Sequence, residues 1–189
     1  MNIIEEKVKR IENIYQAIDS MYEMAKKHYH FDCNGCQTNC CETRFYHYSI
    51  SEALYLKRGF ETLSIIERDR ILDKSRQYEK AYEEMSEDNR LMCPLNEKGL
   101  CVLYKWRPMI CRLHGVPYEV QDVNMSASFH GGCERFMSEM ANSNFTYMTF
   151  NRTIFYRELS KVEEEIRGLL SLKVPQKKTV AQILLTYFL

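Results

Sequence analysis

The chain has 189 residues, 45% apolar and 28% charged, with 26 basic residues balanced by 26 acidic ones. That length and mix fit a soluble globule able to bury a core, and seven glycines and four prolines exclude a low-complexity chain. Zero formal net charge argues against a strongly basic nucleic-acid-binding surface, so no nucleic-acid partner is expected.

Glu5, Glu6, Lys7, Lys9 and Arg10 leave no apolar stretch at the start for an export signal. The strongest apolar cluster, Ile183, Leu184 and Leu185, is far too short to span a bilayer. A cytoplasmic location without a membrane span is the expectation, and thiols stay reduced there.

In chain order, Ile4, Val8, Ile11, Tyr15, Ile18, Tyr22 and Ala25 recur at steps of 4 and 3. This predicts an amphipathic helix over residues 1–30, packed on its own core rather than in a coiled coil, because the stripe is not sustained. Residues 31–48 break the pattern with the turn residues Asn34, Gly35, Thr38 and Asn39. A short helix then opens, capped by Ser49 or Ser51, and is expected to stop at Gly59. Ser64 followed by Glu67 is a capping-box pattern. It starts a helix to about Met85, with Ile71, Tyr78, Tyr82 and Met85 on one face.

Residues 89–133 hold three of the four prolines and half the cysteines. They read as irregular structure held by its ligands, with brief strands around Cys101 and Val116 at most. Helix returns from about Asn142, where Phe155, Leu159, Val162, Ile166 and Leu169 keep helical spacing. Pro175 separates a last helix over residues 177–189, apolar nearly all round. That helix is either buried or a docking surface for a protein partner. The expected fold is mainly α and a single domain over residues 1–189. An N-terminal helix (1–30) and C-terminal helices (142–189) enclose an irregular, cysteine-rich metal-binding centre with inserted helices (31–133).

Eight cysteines carry the chemistry: Cys33, Cys36, Cys40, Cys41, Cys93, Cys101, Cys111 and Cys133. A lone buried cysteine is often a small hydrophobe, but four within nine residues call for another reason. A soft metal needs thiolates converging at about 2.3 Å. The Cys33-x2-Cys36 gap lets two sulfurs of one turn face one ion, with Gly35 giving the turn its freedom. Neighbouring side chains diverge, so one of Cys40 and Cys41 is expected to turn toward a second metal or to bridge. Eight thiolates suit two tetrathiolate zinc sites, or a [4Fe-4S] cluster with four spare cysteines. Lys105, Arg107, Arg112 and Arg135 flank the later cysteines and would offset a net charge near −2 on such a site. Of the histidines, His114 and His130 each stand three residues from a cysteine, yet a satisfied or exposed role is preferred for both. His28 and His30 at a helix end suit its dipole.

The order Cys-x2-Cys-x3-Cys-Cys, then Cys93 before Pro94 and Leu95, then Gly99, Cys101, Tyr104, Arg107, Pro108, Cys111 and Arg112, then Gly132 and Cys133, resembles a known family. It is the YkgJ-like cysteine-cluster family of zinc- or iron-chelating proteins, to which flagellin lysine N-methylases are similar. The resemblance spans residues 33–133. It implies Cys33, Cys36, Cys40, Cys41, Cys93, Cys101 and Cys111 as ligands. It also implies that Arg107 and Pro108 turn the chain so that Cys111 returns to the metal. The expected function is a metal-binding protein holding zinc or an iron-sulfur cluster. The alternatives are a protein-lysine methyl-transfer enzyme or accessory, and a metal-stapled interaction module. No Gly-rich nucleotide fingerprint or catalytic residue stands out.

Overall fold

The computed structural model describes residues 3–33, 40–47, 50–84, 90–122, 126–172 and 178–188. Helix α1 (Ile3–Tyr29) buries Val8, Ile11, Tyr15, Ile18, Tyr22, Ala25 and Tyr29. That face packs against α2 (Ile50–Glu61), α4 (Met109–Leu113) and α6 (Thr153–Leu169). The apolar stripe therefore serves the chain's own core, as its limited length implied. Glu5 and Glu6 in the first turn and Lys26, Lys27 and His28 in the last complement the helix dipole.

Helix α2 does not stop at Gly59 but runs on to Glu61. Gly59 is there for a close approach: a Cβ would stand 2.3 Å from Trp106 Cδ1. The start of α2 is capped from far away. The Glu163 carboxylate accepts from the amides of Ile50 (3.0 Å) and Ser51 (2.9 Å) and from Ser51 Oγ (2.9 Å). Ser49, the other expected cap, lies outside the described residues.

Helix α3 (Ile65–Glu84) begins with the expected capping box. The Ser64 amide donates to Glu67 Oε2 at 2.9 Å and the Glu67 amide to Ser64 Oγ at 3.3 Å. Met85 lies outside the described residues. Helix α3 packs on α7 (Val180–Tyr187). Helix α7 buries Val180, Ala181, Ile183 and Leu184, so this apolar face is core. Thr179 and Gln182 form a capping box that starts it. Pro175, Lys177 and Leu189, at the limits of the expected last helix, lie outside the described residues.

Strands are short, as anticipated. A tight hairpin pairs β1 (Asn96–Glu97) with β2 (Leu100–Cys101), Asn96 opposite Cys101. Lys98 (φ 52°) and Gly99 (φ 87°) both take the left-handed backbone that such a turn needs. A second antiparallel pair joins β3 (Tyr118–Gln121) to β4 (Ala127–His130).

The helix expected from about Asn142 begins only at Thr153, and an unanticipated helix, α5 (Glu134–Met140), precedes it. Tertiary pairing explains the delay. Glu119 of β3 donates to Phe150 O and accepts from the Arg152 amide, each at 3.0 Å, which holds this segment extended. Its aromatic rings are spent on edge contacts with Tyr29, Phe129 and Phe155.

Two apolar clusters result. One joins α1, α4, α5 and α6; the other joins α2, α3, α7, Leu95 and Leu103, with Trp106 packed against both. Among the described residues, no helix is long and apolar enough to cross a membrane.

Candidate metal centre

The cysteines arrive from separate segments. Cys33 follows α1, and Cys40 and Cys41 open a single 3-10 turn (Cys40–Glu42). Cys93 and Cys101 flank the β1–β2 hairpin, and Cys111 rides on α4. A cavity of about 150 Å³ is lined by Cys33, Cys40, Cys41, Cys93, Cys101 and Cys111. These are six of the seven described cysteines; Cys36 lies outside the described residues. Cys133 does not line the cavity. It caps α5 by accepting from the Phe136 amide at 3.4 Å and packs against the larger core.

Backbone hydrogen bonds fix this convergence. The Cys93 amide donates to Cys41 O at 2.8 Å, and the Asn96 amide to Cys93 O at 2.9 Å. Two further amides, those of Leu95 and Leu103, donate to the sulfurs of Cys93 and Cys101, each two residues back. Such donors favour thiolate over thiol. Arg107 is extended and Pro108 caps α4, so the chain turns and brings Cys111 to the cavity.

The expected cations are distributed unevenly. Arg107 and Arg112 line the cavity. Arg112 donates to Arg107 O (2.9 Å), Asp19 Oδ2 (2.5 Å) and Lys105 O. Arg107 reaches the other oxygen of Asp19 at 3.3 Å. Two guanidiniums thus share one carboxylate. Lys105 lies over the Trp106 ring, and Arg135 pairs with Glu139.

Burial dominates the thiol electrostatics. It pushes Cys93 up to about 12 and Cys101 up to about 11. It raises Cys111 well above the ordinary thiol value, with Cys93, Cys101 and Cys41 adding to the rise. Cys41 also raises Cys93 and Cys101, and Cys101 raises Cys93. Every pair among Cys41, Cys93, Cys101 and Cys111 is therefore within electrostatic reach. Cys41 itself is lowered to about 6, because the Cys40 thiol donates to it, and Cys40 is pushed up in return. Among the described residues, no three His, Cys, Asp or Glu side chains are drawn together as a bound metal would draw them.

Two histidines also line the cavity, His47 and His114. His114 packs edge-on against Phe45, and its carbonyl accepts from Tyr22 Oη at 2.8 Å. Sequence reasoning gave His47 no part. It is 2% exposed, and its backbone pairs with Lys178 in both directions (2.8 and 3.0 Å). Its Nδ1 faces Glu52 Oε2 at 3.8 Å, and its Nε2 is buried with no hydrogen-bond partner among the described residues. No local motif marks it, since its position depends on a pairing 131 residues away along the chain. The other described histidines lie elsewhere: His130 stacks on Tyr118, and His28 Nε2 meets Thr146 O at 2.6 Å.

No family model, curated protein or solved structure matches the chain.

Proposed function

We propose that this cavity holds a soft transition metal, zinc or iron, with Cys41, Cys93, Cys101 and Cys111 as its inner thiolate donors. The observation that carries this is that four part-buried thiols from three separate segments line one small cavity. Four such thiols repel one another once ionised, and burial opposes each ionisation. A bound dication removes both costs, because thiolates coordinate it directly. The donors are also dressed for the charged form. The Leu95 and Leu103 amides point at sulfurs, and two guanidiniums share one carboxylate in the wall. The Asn96 side chain hydrogen-bonds to Cys41 and favours its thiolate. A closed tetrathiolate zinc site would be structural, whereas thiolate-bound iron would be open to redox work. The YkgJ-like resemblance supports the same donors; the methyl-transfer alternative has only that resemblance behind it.

The test is elemental analysis with an absorption spectrum of anaerobically purified protein. The expected result is zinc or iron at one equivalent or more. Brown colour marks iron and a colourless metalloprotein marks zinc. Metal-free protein whose thiols all react in the folded state overturns the proposal.

A further inference from the structure

Tyr46, His47 and Glu52, the start of α4 and one face of α6 line a second pocket, of about 310 Å³. Small-ligand sites run from about 300 to 1,000 Å³, so a compact molecule fits. Met109, Ile110 and Leu159 give the pocket apolar walls, and Tyr156 adds a second ring beside Tyr46. His47 is the residue that this pocket shares with the cysteine cavity.

Two side chains of the lining have an orphaned nitrogen. His47 Nε2 and Arg167 Nε are each buried with no hydrogen-bond partner among the described residues. Both are shielded from water as well, a cost that the fold itself leaves uncompensated. A glutamate backs each of them: Glu52 Oε2 stands 3.8 Å from His47 Nδ1, and Glu163 Oε1 stands 3.9 Å from Arg167 Nε. The glutamates are held in turn. Glu52 accepts from the Met109 amide at 2.7 Å and from Tyr15 Oη at 3.2 Å, and Glu163 accepts from the first amides of α2. The frame is thus set before any ligand arrives.

The two nitrogens ask for different partners. Burial pushes the His47 ring toward its neutral form, against the pull of Glu52. With a carboxylate beside Nδ1 the ring proton stays on that nitrogen, and Nε2 is left an acceptor. Arg167 Nε is always a donor. A ligand must therefore bring one donor and one acceptor. The two carboxylates oppose an anion and the guanidinium opposes a cation, so the molecule that carries them is uncharged.

We infer that this pocket binds a small uncharged molecule bearing an amide, whose carbonyl accepts from Arg167 Nε and whose N–H donates to His47 Nε2. The inference does not depend on the metal reading, since none of the cysteines lines this pocket.

The experiment titrates the ¹⁵N-labelled full chain, as purified, with benzamide, benzoate and benzylamine, three probes of one shape and different charge. Benzamide is expected to bind with a Kd about tenfold below the other two. It should also move the ¹⁵N resonance of His47 Nε2, as an acceptor nitrogen gaining a hydrogen bond moves. Ser160 is exposed and lines the pocket, so Ser160→Phe should fill the space and abolish binding at an unchanged melting temperature. The resonance shift in the wild type needs no variant. No benzamide binding, equal binding of all three probes, an unmoved His47 resonance, or binding kept by folded Ser160→Phe overturns the proposal.

Discussion

The Cys93 amide donates to the Cys41 carbonyl at 2.8 Å, across 52 residues of chain. This bond ties the vicinal-cysteine turn to the hairpin that carries Cys93 and Cys101. On the proposed reading, metal binding and folding would be coupled at this joint, because the donors meet only when both segments are docked.

Removing the metal should accordingly soften the whole protein. With free zinc at about a hundredfold its Kd, linkage supplies about 2.7 kcal/mol. For a chain of this length that corresponds to about 5–10 °C in Tm. Scanning calorimetry with and without a strong chelator measures it. An identical melt in both would show that the thiols staple nothing.

Cys93→Ser removes one sulfur from the cavity wall and leaves the backbone bond to Cys41 in place. It should lose the metal and lower the melting temperature to that of the chelated wild type. Cys133→Ser, outside the cavity, should keep full metal content and lose only the weak cap of α5. Elemental analysis of both variants separates them, and metal loss in Cys133→Ser would place that sulfur back among the ligands.

Glu163→Ala should cost about 2–3 kcal/mol, since charge-assisted hydrogen bonds are worth about 1.5–3 kcal/mol and the first turn of α2 is left uncapped. Urea unfolding reads this as a fall in midpoint at constant slope. Because α2 starts three residues after His47, the same variant should also weaken metal uptake. A neutral result would mean that water replaces the carboxylate.

Gly59→Ala forces a methyl group into the Trp106 ring, 2.3 Å away. Overpacking of this kind costs about 1–3 kcal/mol, against the roughly 1 kcal/mol that alanine gains over glycine inside a helix. The expected net result is a less stable protein with a shifted Trp106 fluorescence spectrum, Trp106 being the chain's sole tryptophan. Stabilisation with an unchanged spectrum would mean the ring has room to retreat.

Glu165 on α6 is lowered to about 2, chiefly because Arg10 and Lys7 of α1 hydrogen-bond to it. Its ordinary value is 4.5, so the folded state holds the carboxylate in its charged form longer than the unfolded chain does. The stabilisation is complete above pH 4.5 and is lost as pH falls through about 2. Glu165→Gln should flatten the acid limb of the stability curve in that window, and an unchanged limb would show the pairing to be screened out.

Much of the helical plan was legible because it is local. The stripe from Val8 to Ala25, the Ser64–Glu67 box and the spacing from Phe155 to Ile166 all signal within a few residues. The errors lie where distant chain decides. Gly59 reads as a helix stop until Trp106 is seen against it. Residues 143–152 read as helix until β3 pairs with them. The cavity was half legible: cysteine spacing nominated the thiols, but spacing cannot sort Cys111 into the cavity and Cys133 into a helix cap. His47 was illegible, since its burial rests on a backbone pairing with Lys178, far along the chain, that nothing beside it announces.

The backbone pairing of His47 with Lys178 has a consequence for the order of events in the cell. Thr179, Val180 and Ala181 complete the wall of the cavity, while its sulfurs come from residues 33–111. A nascent chain therefore exposes these thiols before residues 179–181 are made, and can close the pocket only after Ala181 has left the ribosome. Until then the cysteines are open to oxidants and competing ions, and a segment made long after them is the one that shuts them in.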